Sequence, residues 1–169
     1  IKKEWITSPN IHYHMAIDGI SLWLVVLTTF LTPLCVLISW KSVHDRVKEF
    51  FILLLVLETA LIGVFTSLDL FLFYFFWEAM LIPMFLIIGL WGGERRIYAT
   101  LKFVLYTAFG SILMLAALIY FVLATIQARG SISFAFMDLY GTSLPLHVQL
   151  WLLAAFSLSF AIKVPMVPL

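Results

Sequence analysis

The sequence has few charged residues and a single cysteine among its 169 positions. Charged residues make up 11% and hydrophobic residues 64% of the chain, and the mean hydropathy is +1.12. A soluble domain is about half apolar and about a quarter charged, so this chain has too little polar surface to cover itself in water. A net charge of +1 gives no support for nucleic acid as a partner. The composition predicts an integral membrane protein.

Several kinds of functional site have no support in the sequence. It contains no Gly-rich phosphate loop and no CxxC pair, so neither a nucleotide site nor an iron–sulfur site is indicated. The lone Cys35 permits no internal disulfide, and inside an apolar run it is interpreted as a small buried hydrophobic residue. Haem between helices is disfavoured because the histidines fall in loops or at the ends of apolar runs: His12, His14, His44 and His147. We therefore expect no cofactor and no metal in this chain.

Five apolar stretches are long enough to cross a hydrocarbon core, which takes about 20 helical residues. Helices are expected because a segment in lipid must satisfy its own backbone polar groups, and the alternation of a membrane barrel is missing. The sequence thus predicts an all-α, polytopic transmembrane bundle with spans near residues 20–40, 50–68, 70–91, 103–128 and 148–169. Because the last apolar run continues to the final residue, we expect residues 1–169 to be a fragment of one integral membrane domain.

The basic residues of the loops predict the orientation of the bundle. The loops after the first and third stretches lie on one side and hold Lys41, Arg46, Lys48, Arg95, Arg96 and Lys102. The opposite side holds Lys2, Lys3 and Arg129. Since basic loops favour the cytoplasmic side, we expect the first group inside and the second outside.

Three of the apolar stretches each contain one ionisable residue: Glu58, Glu78 and Lys163. Such residues are expensive inside a membrane and are by default candidates for function. A structural role is the alternative for each. Glu58 would then be a hydrogen-bonded partner on another helix, and Glu78 with Lys163 would only fix helix packing.

Prolines stand close to two of these charges. Pro83 follows Glu78 in "FWEAMLIP", and Pro165 and Pro168 follow Lys163 in "AIKVPMVPL". Each proline lacks the amide that would bond the carbonyl four residues earlier, which is predicted to free the carbonyls of Ala79, Ala161 and Val164. A charge beside a broken helix is typical of an ion path. Counted from the outer helix ends, the depths of Glu78 and Lys163 differ by about 10 Å, so their contact is left open.

Three stretches carry a resemblance to a known family: "HMAIDGISLWLVVLTTFLTPL", "LDLFLFYFFWEAMLIPMFLIIGLWGGERRIYATLKFVLYTAFGS" and "SFAIKVPMVPL". They closely resemble the antiporter-like membrane subunits of respiratory complex I, the proton-pumping NADH–quinone oxidoreductase, and among them the chain M (mitochondrial chain 4) family. A weaker resemblance is to the large membrane subunits of multisubunit sodium/proton antiporters and of membrane-bound hydrogenases.

The resemblance implies an antiporter-like fold of inverted repeats, of which this chain would hold the third to seventh helices. It implies that Glu78 and Lys163 are a switchable ion pair in a hydrated proton path, and that Glu58 and Lys102 stand where the family also has polar residues. The chain would be a subunit of an oxidoreductase without a redox centre of its own. NADH, FMN, iron–sulfur clusters and quinone would belong to the other membrane and peripheral subunits of complex I.

Two other functions are left open by the sequence. The chain could belong to a cation/proton antiporter or a membrane-bound hydrogenase with the same charge pair, or it could be a helical scaffold whose charges only fix packing. The sequence does not distinguish a coupled proton from a coupled sodium ion. A bacterial plasma membrane is favoured over a mitochondrial inner membrane.

Overall fold

The computed structural model describes residues 1–7, 9–130, 132–140 and 142–166, without the side chains of residues 127–129. Pro168 lies outside the described residues. Two short strands, β1 (Lys2–Ile6) and β2 (Ile11–His14), precede the helices. The helices are α1 (Gly19–Ser39), α2 (Val47–Thr66), α3 (Leu70–Ala79), α4 (Leu81–Trp91), α5 (Arg96–Arg129), α6 (Phe136–Leu139) and α7 (Leu146–Lys163).

Five helical segments of the described chain are long and apolar enough to cross a membrane: α1, α2, the α3–α4 pair, α5 and α7. This confirms the predicted all-α bundle of five spans. Consecutive segments pack against each other, with α1 on α2, α2 on α3, α4 on α5 and α5 on α7.

The third apolar stretch, predicted as one span over residues 70–91, is divided at Met80 between α3 and α4. The hydrogen bonds at the break are long, with 3.3 Å from Met80 N to Phe76 O and 3.4 Å from Met84 N to Met80 O. Pro83 is buried in the first turn of α4, where the missing proline amide breaks no bond within that helix. The helical span is therefore interrupted between Glu78 and Pro83.

Two helix ends differ from the predicted boundaries. Helix α5 begins at Arg96 instead of near residue 103, so Lys102 lies on a helix and not in the loop where it was predicted. Polar residues continue a helix into the membrane interface, where apolarity no longer marks it. Helix α7 ends at Lys163, although the predicted span runs to residue 169. The next residue precedes Pro165, and a following proline disfavours helical geometry.

Extended segments cover the tight turn between α2 and α3, at the end of the bundle that the basic loops predict to be outer. The antiparallel β1–β2 hairpin, which the sequence analysis did not predict, lies on one side of this turn, and Leu68 N donates to His14 O at 2.9 Å. Residues 132–140 lie on the other side, where Leu70 N donates to Phe134 O at 2.8 Å. We call the hairpin, the turn and residues 132–140 the outer layer.

The helices pack around α2 and α5. Helix α2 contacts α1, α3 and α4, and α5 contacts α3, α4 and α7. At Gly63 of α2 any side chain would collide with the ring of Phe76, so a glycine is needed for the close approach of α3. The main buried cluster consists of Ala60, Val64, Trp77, Met80 and Met114. Cys35 is exposed on α1, contrary to the expectation of burial, because α1 packs on the bundle mainly through α2.

Candidate functional site

Glu78 lies in the last turn of α3, immediately before the break at Met80. Asp69 fixes the start of this helix, because its carboxylate accepts hydrogen bonds from Phe71 N and Leu72 N at 3.0 and 3.2 Å. Glu78 is half-buried, and its Oε1 atom is buried without a hydrogen-bond partner in the described part of the chain. Tyr74 stands one turn earlier on the same face and interacts electrostatically with the carboxylate.

Lys163, the last residue of α7, reaches across to α3. Its Nζ atom donates a hydrogen bond of 3.1 Å to the carbonyl oxygen of Trp77 and lies 4.8 Å from the centroid of the Trp77 ring. The structure therefore brings the ammonium to the residue that directly precedes Glu78.

The Trp77 side chain is fixed by aromatic contacts. It is 7% exposed, stacks on Phe73 with centroids 5.6 Å apart, and meets Phe160 of α7 edge-on at 5.4 Å. Its indole Nε1 is buried and has no hydrogen-bond partner among the described residues. The site thus contains a fixed aromatic face and two buried polar atoms, Trp77 Nε1 and Glu78 Oε1, that no described protein group satisfies.

Glu78 and Lys163 do not form an ion pair within 4.0 Å in the described structure, although they interact electrostatically. The sequence analysis found a difference in depth between Glu78 and Lys163. The outer layer accounts for this difference because it covers the start of α3. Lys163 is about 25 Å along α7 from Leu146, whereas Trp77 is about 10 Å along α3 from Leu70, so Leu70 lies deeper than Leu146. A carboxyl and an ammonium that are close but unpaired inside a bundle can exchange protons as their separation changes.

The remaining predicted site residues lie apart from this contact. Glu58 is half-buried on α2 and Lys102 is exposed on α5, and within the described part of the chain neither forms a hydrogen bond or ion pair with Glu78 or Lys163. Lys102 lines a groove of about 750 Å³ at the N-terminal end of α5, together with Glu94, Arg95, Arg96, Tyr98 and Tyr106.

The expectation of an unpaired carbonyl at Ala161 is wrong. Its oxygen accepts a hydrogen bond of 2.9 Å from the amide of Met166, so the chain turns after α7 and satisfies this group. The carbonyl that accepts a hydrogen bond from Lys163 is that of Trp77, a residue that the sequence analysis missed. The only signal for it was a tryptophan directly before the intramembrane glutamate in "FWEAM".

The described residues contain no cluster of three or more His, Cys, Asp or Glu side chains that could hold a metal ion. The polar groups of the site are instead a carboxyl, an ammonium, an indole N–H and a backbone carbonyl. These groups are suited to binding and releasing protons or water.

Two family models match the chain. The one described as NADH:quinone oxidoreductase/Mrp antiporter, TM, matches residues 67–169, and the one described as NADH-ubiquinone oxidoreductase chain 4, amino terminus, matches residues 2–64. The first match covers more than half of the chain and includes α3 to α7.

The similar proteins include a bacterial subunit M and a protein named chain 4. NADH-quinone oxidoreductase subunit M of Rhodobacter capsulatus is 50% identical over 98% of this chain and 33% of its own length. NADH-ubiquinone oxidoreductase chain 4 of Prototheca wickerhamii is 49% identical over 94% of this chain and 29% of its own length. The chain thus spans about a third of the curated relatives that it matches. Since relatives under both names match, the expected bacterial plasma membrane stays a prediction.

Two solved structures are similar in fold. A chain of respiratory complex I from Thermus thermophilus matches with a TM-score of 0.81 and 36% identity over 99% of this chain and 34% of that chain. A chain of an archaeal membrane-bound sulfane sulfur reductase matches with a TM-score of 0.73 and 22% identity over 100% of this chain and 26% of that chain, which shows the fold alone. With the family match over residues 67–169, these likenesses show that the chain belongs to the NADH:quinone oxidoreductase/Mrp antiporter family of membrane proteins, alongside subunit M and chain 4.

Proposed function

We propose that this chain belongs to a proton-translocating membrane subunit of an NADH–quinone oxidoreductase, with Glu78 and Lys163 as a switchable pair. The observation that carries the proposal is the Lys163 ammonium bonded to the Trp77 carbonyl at the broken α3–α4 span. The next residue is Glu78, whose Oε1 atom has no hydrogen-bond partner among the described residues. NADH, FMN, iron–sulfur clusters and quinone belong to partner subunits, and this chain supplies part of the proton path. Residues 1–169 form part of a single integral membrane domain.

The switch follows from the cost of charge inside the membrane. When the carboxylate and ammonium are paired, each stabilises the charged form of the other. When they separate in surroundings of low polarity, the charged forms are destabilised, and the carboxylate takes up a proton or the ammonium releases one. A conformational change that opens and closes the pair therefore moves protons.

The broken span provides room for this motion. Because α3 and α4 are separate helices, the last turn of α3 can shift without displacing α4 as a rigid body. Irregular backbone at membrane depth is tolerated where it faces protein or water, and the unsatisfied atoms at Glu78 and Trp77 are suitable places for water. Glu58 and Lys102 are proposed as further polar groups of the path.

A cation/proton antiporter subunit is the second candidate, because the matching family description includes the Mrp antiporter. It would use the same pair without a redox partner. Purification of the intact complex distinguishes the two candidates. We expect flavin and iron–sulfur subunits to co-purify, and their absence from an active complex would favour the antiporter.

Charge-removing substitutions test the pair itself. Glu78→Gln, Lys163→Met and the double variant are placed in the full subunit, and proton pumping is measured on reconstituted complexes matched for subunit content. Each single substitution is expected to reduce pumping at least about tenfold, because the partner charge is left unpaired. The double variant should lose little more than the worse single, because the effects of contacting residues do not add.

Matched controls separate this role from a general need for charge. Glu4→Gln and Lys41→Met remove an exposed carboxylate and an exposed ammonium outside the spans, and both should pump normally. If the loss in the double variant equals the product of the two single losses, the residues act independently and the switch is wrong. Normal pumping with either single variant would leave the scaffold as the better explanation.

A further inference from the structure

The break between α3 and α4 leaves a backbone oxygen for a side-chain donor. In a continuous helix the Trp77 carbonyl would accept the amide of Leu81, four residues later. Here α3 ends at Ala79 and α4 begins at Leu81, and the bonds at the break use the carbonyls of Phe76 and Met80. The Trp77 carbonyl instead accepts the ammonium of Lys163 at 3.1 Å.

The same residue also presents a ring to this ammonium. The distance of 4.8 Å from Lys163 Nζ to the Trp77 ring centroid is within the range of a cation–π interaction, for which tryptophan is the best partner. The contacts of Trp77 with Phe73 and Phe160 fix the ring, and Phe160 is on α7 itself. The carbonyl oxygen and the ring of Trp77 thus both interact with the Lys163 ammonium.

We propose that Trp77 is a positioning residue that holds the Lys163 ammonium, through its carbonyl oxygen and its ring, whenever the lysine is not paired with Glu78. This inference rests on the proposed switch and adds the second partner that the lysine needs. Lys163 alternates between Glu78 and Trp77, two neighbouring residues of α3, so a small displacement of α7 is enough to change its partner.

The physical reason is the instability of an unpaired ammonium. A cation separated from its carboxylate inside the membrane would return to it at once or lose its proton in place, unless another group stabilised it. A carbonyl dipole and an aromatic face stabilise the cation without neutralising it and without accepting a proton. Trp77 therefore makes the open pair accessible and keeps the proton on the lysine until its acceptor is reached.

The test compares three substitutions in the assembled complex. Trp77→Leu retains the carbonyl but removes the ring, Trp77→Phe retains a weaker aromatic face, and Phe156→Leu is the control. Phe156 is a half-buried aromatic residue on α7 that packs against the same cluster and contacts Phe160. Within the described part of the chain it forms no hydrogen bond or cation–π contact with Lys163. We expect Trp77→Leu to lower pumping about 3- to 10-fold and Trp77→Phe to stay within about twofold of the parent.

The pH profile separates positioning from structural support. With Trp77→Leu the alkaline limit of pumping should move to lower pH, because the ammonium form of the open state is less stabilised. Phe156→Leu should change the amount of assembled complex without moving that limit. An equal profile for Trp77→Leu and Phe156→Leu would overturn the proposal.

Fluorinated tryptophans at position 77 provide a variant that preserves the fold. Each added fluorine weakens the negative face of the ring with little change of shape, so pumping should fall in steps with the degree of fluorination. A flat series, in which pumping is the same for every fluorinated tryptophan, overturns the role of Trp77. If Glu78→Gln and Lys163→Met abolish pumping while the series is flat, the switch stands without Trp77. If those two variants pump normally, the switch and the positioning role are both wrong.

Discussion

Two carboxyl side chains of the α3 segment differ in hydrogen bonding as well as in burial. Asp69 is 1% exposed, and its oxygens accept hydrogen bonds from the amides of His12, Phe71 and Leu72. Glu78, less buried, has an oxygen with no partner in the described part of the chain. A satisfied carboxylate at a helix start is a cap. The Oε1 atom of Glu78 has no such bond among the described residues, and we propose it as a partner for a lysine or for water.

Asp18 offers a pH-dependent prediction at the start of α1. Its pKa is lowered from 3.8 chiefly by the hydrogen bond that its carboxylate accepts from the amide of Ser21, with further contributions from the nearby Ser21 hydroxyl and the amide of Ile20. Because the folded pKa lies below the unfolded one, the cap stabilises α1 above about pH 3.8, and this contribution is lost as pH falls through the lowered pKa. We expect the amides of Ile20 and Ser21 to lose protection from hydrogen exchange in acid, after correction for intrinsic rates.

The matched variant is Asp18→Asn, because asparagine caps helices about as well as aspartate and does not titrate in acid. Its first turn should keep the same protection across the acidic range, and Asp18→Ala should lack protection at every pH. Acid sensitivity that persists in Asp18→Asn would show that another group is responsible.

At the scale of elements, the sequence predicted the apolar centres of the spans better than their ends. A helix must be apolar where it crosses the hydrocarbon core, so long apolar runs locate the spans. This requirement ends at the membrane interface, where a helix can continue with polar residues. Arg96 and Lys102 therefore looked like loop residues although they continue α5. The β1–β2 hairpin was missed because its strands have only five and four residues, and β1 is exposed along its whole length.

The break at Met80 could be predicted only in part. Pro83 predicted a freed carbonyl at Ala79, but the structure ends α3 there and leaves Trp77 O to the lysine. A proline shows that one backbone hydrogen bond is missing. The position at which the helix is interrupted depends on the packing of Trp77, Met80 and the buried Pro83. That packing involves other helices and is not encoded in the local sequence.

Pro83→Ala tests the function of this break. The new amide can bond the Ala79 carbonyl, which favours a continuous helix in which Leu81 N takes the Trp77 oxygen from Lys163. We expect pumping to fall several-fold with near-normal assembly, measured on reconstituted complexes. Pro33→Ala is the control, because Pro33 lies inside α1 with no charged residue on that helix. Equal effects of the two substitutions would mean that the α3–α4 break is incidental.

At the scale of the whole molecule, the sequence singled out Glu78 and Lys163 as candidate site residues but could not show how their helices meet. The depth estimate separated Glu78 from Lys163 by about 10 Å, because it took the outer ends of the spans to be level. The outer layer makes them unequal, since the α2–α3 turn is bonded between His14 on one side and Phe134 on the other. Such contacts join residues far apart in the sequence, so helix lengths alone do not predict them.

The orientation of the bundle is the last prediction, and the structure provides exposed positions for testing it. Glu94 lies in the exposed turn before α5, and Tyr140 is 77% exposed in the outer layer. Because basic residues near Glu94 favour the inner side, an impermeant thiol reagent should label a cysteine at position 140 in intact cells and one at position 94 only after permeabilisation. Cys35→Ser in a background without other reactive thiols removes competing signal. The opposite labelling pattern would invert the topology and place the groove around Lys102 outside.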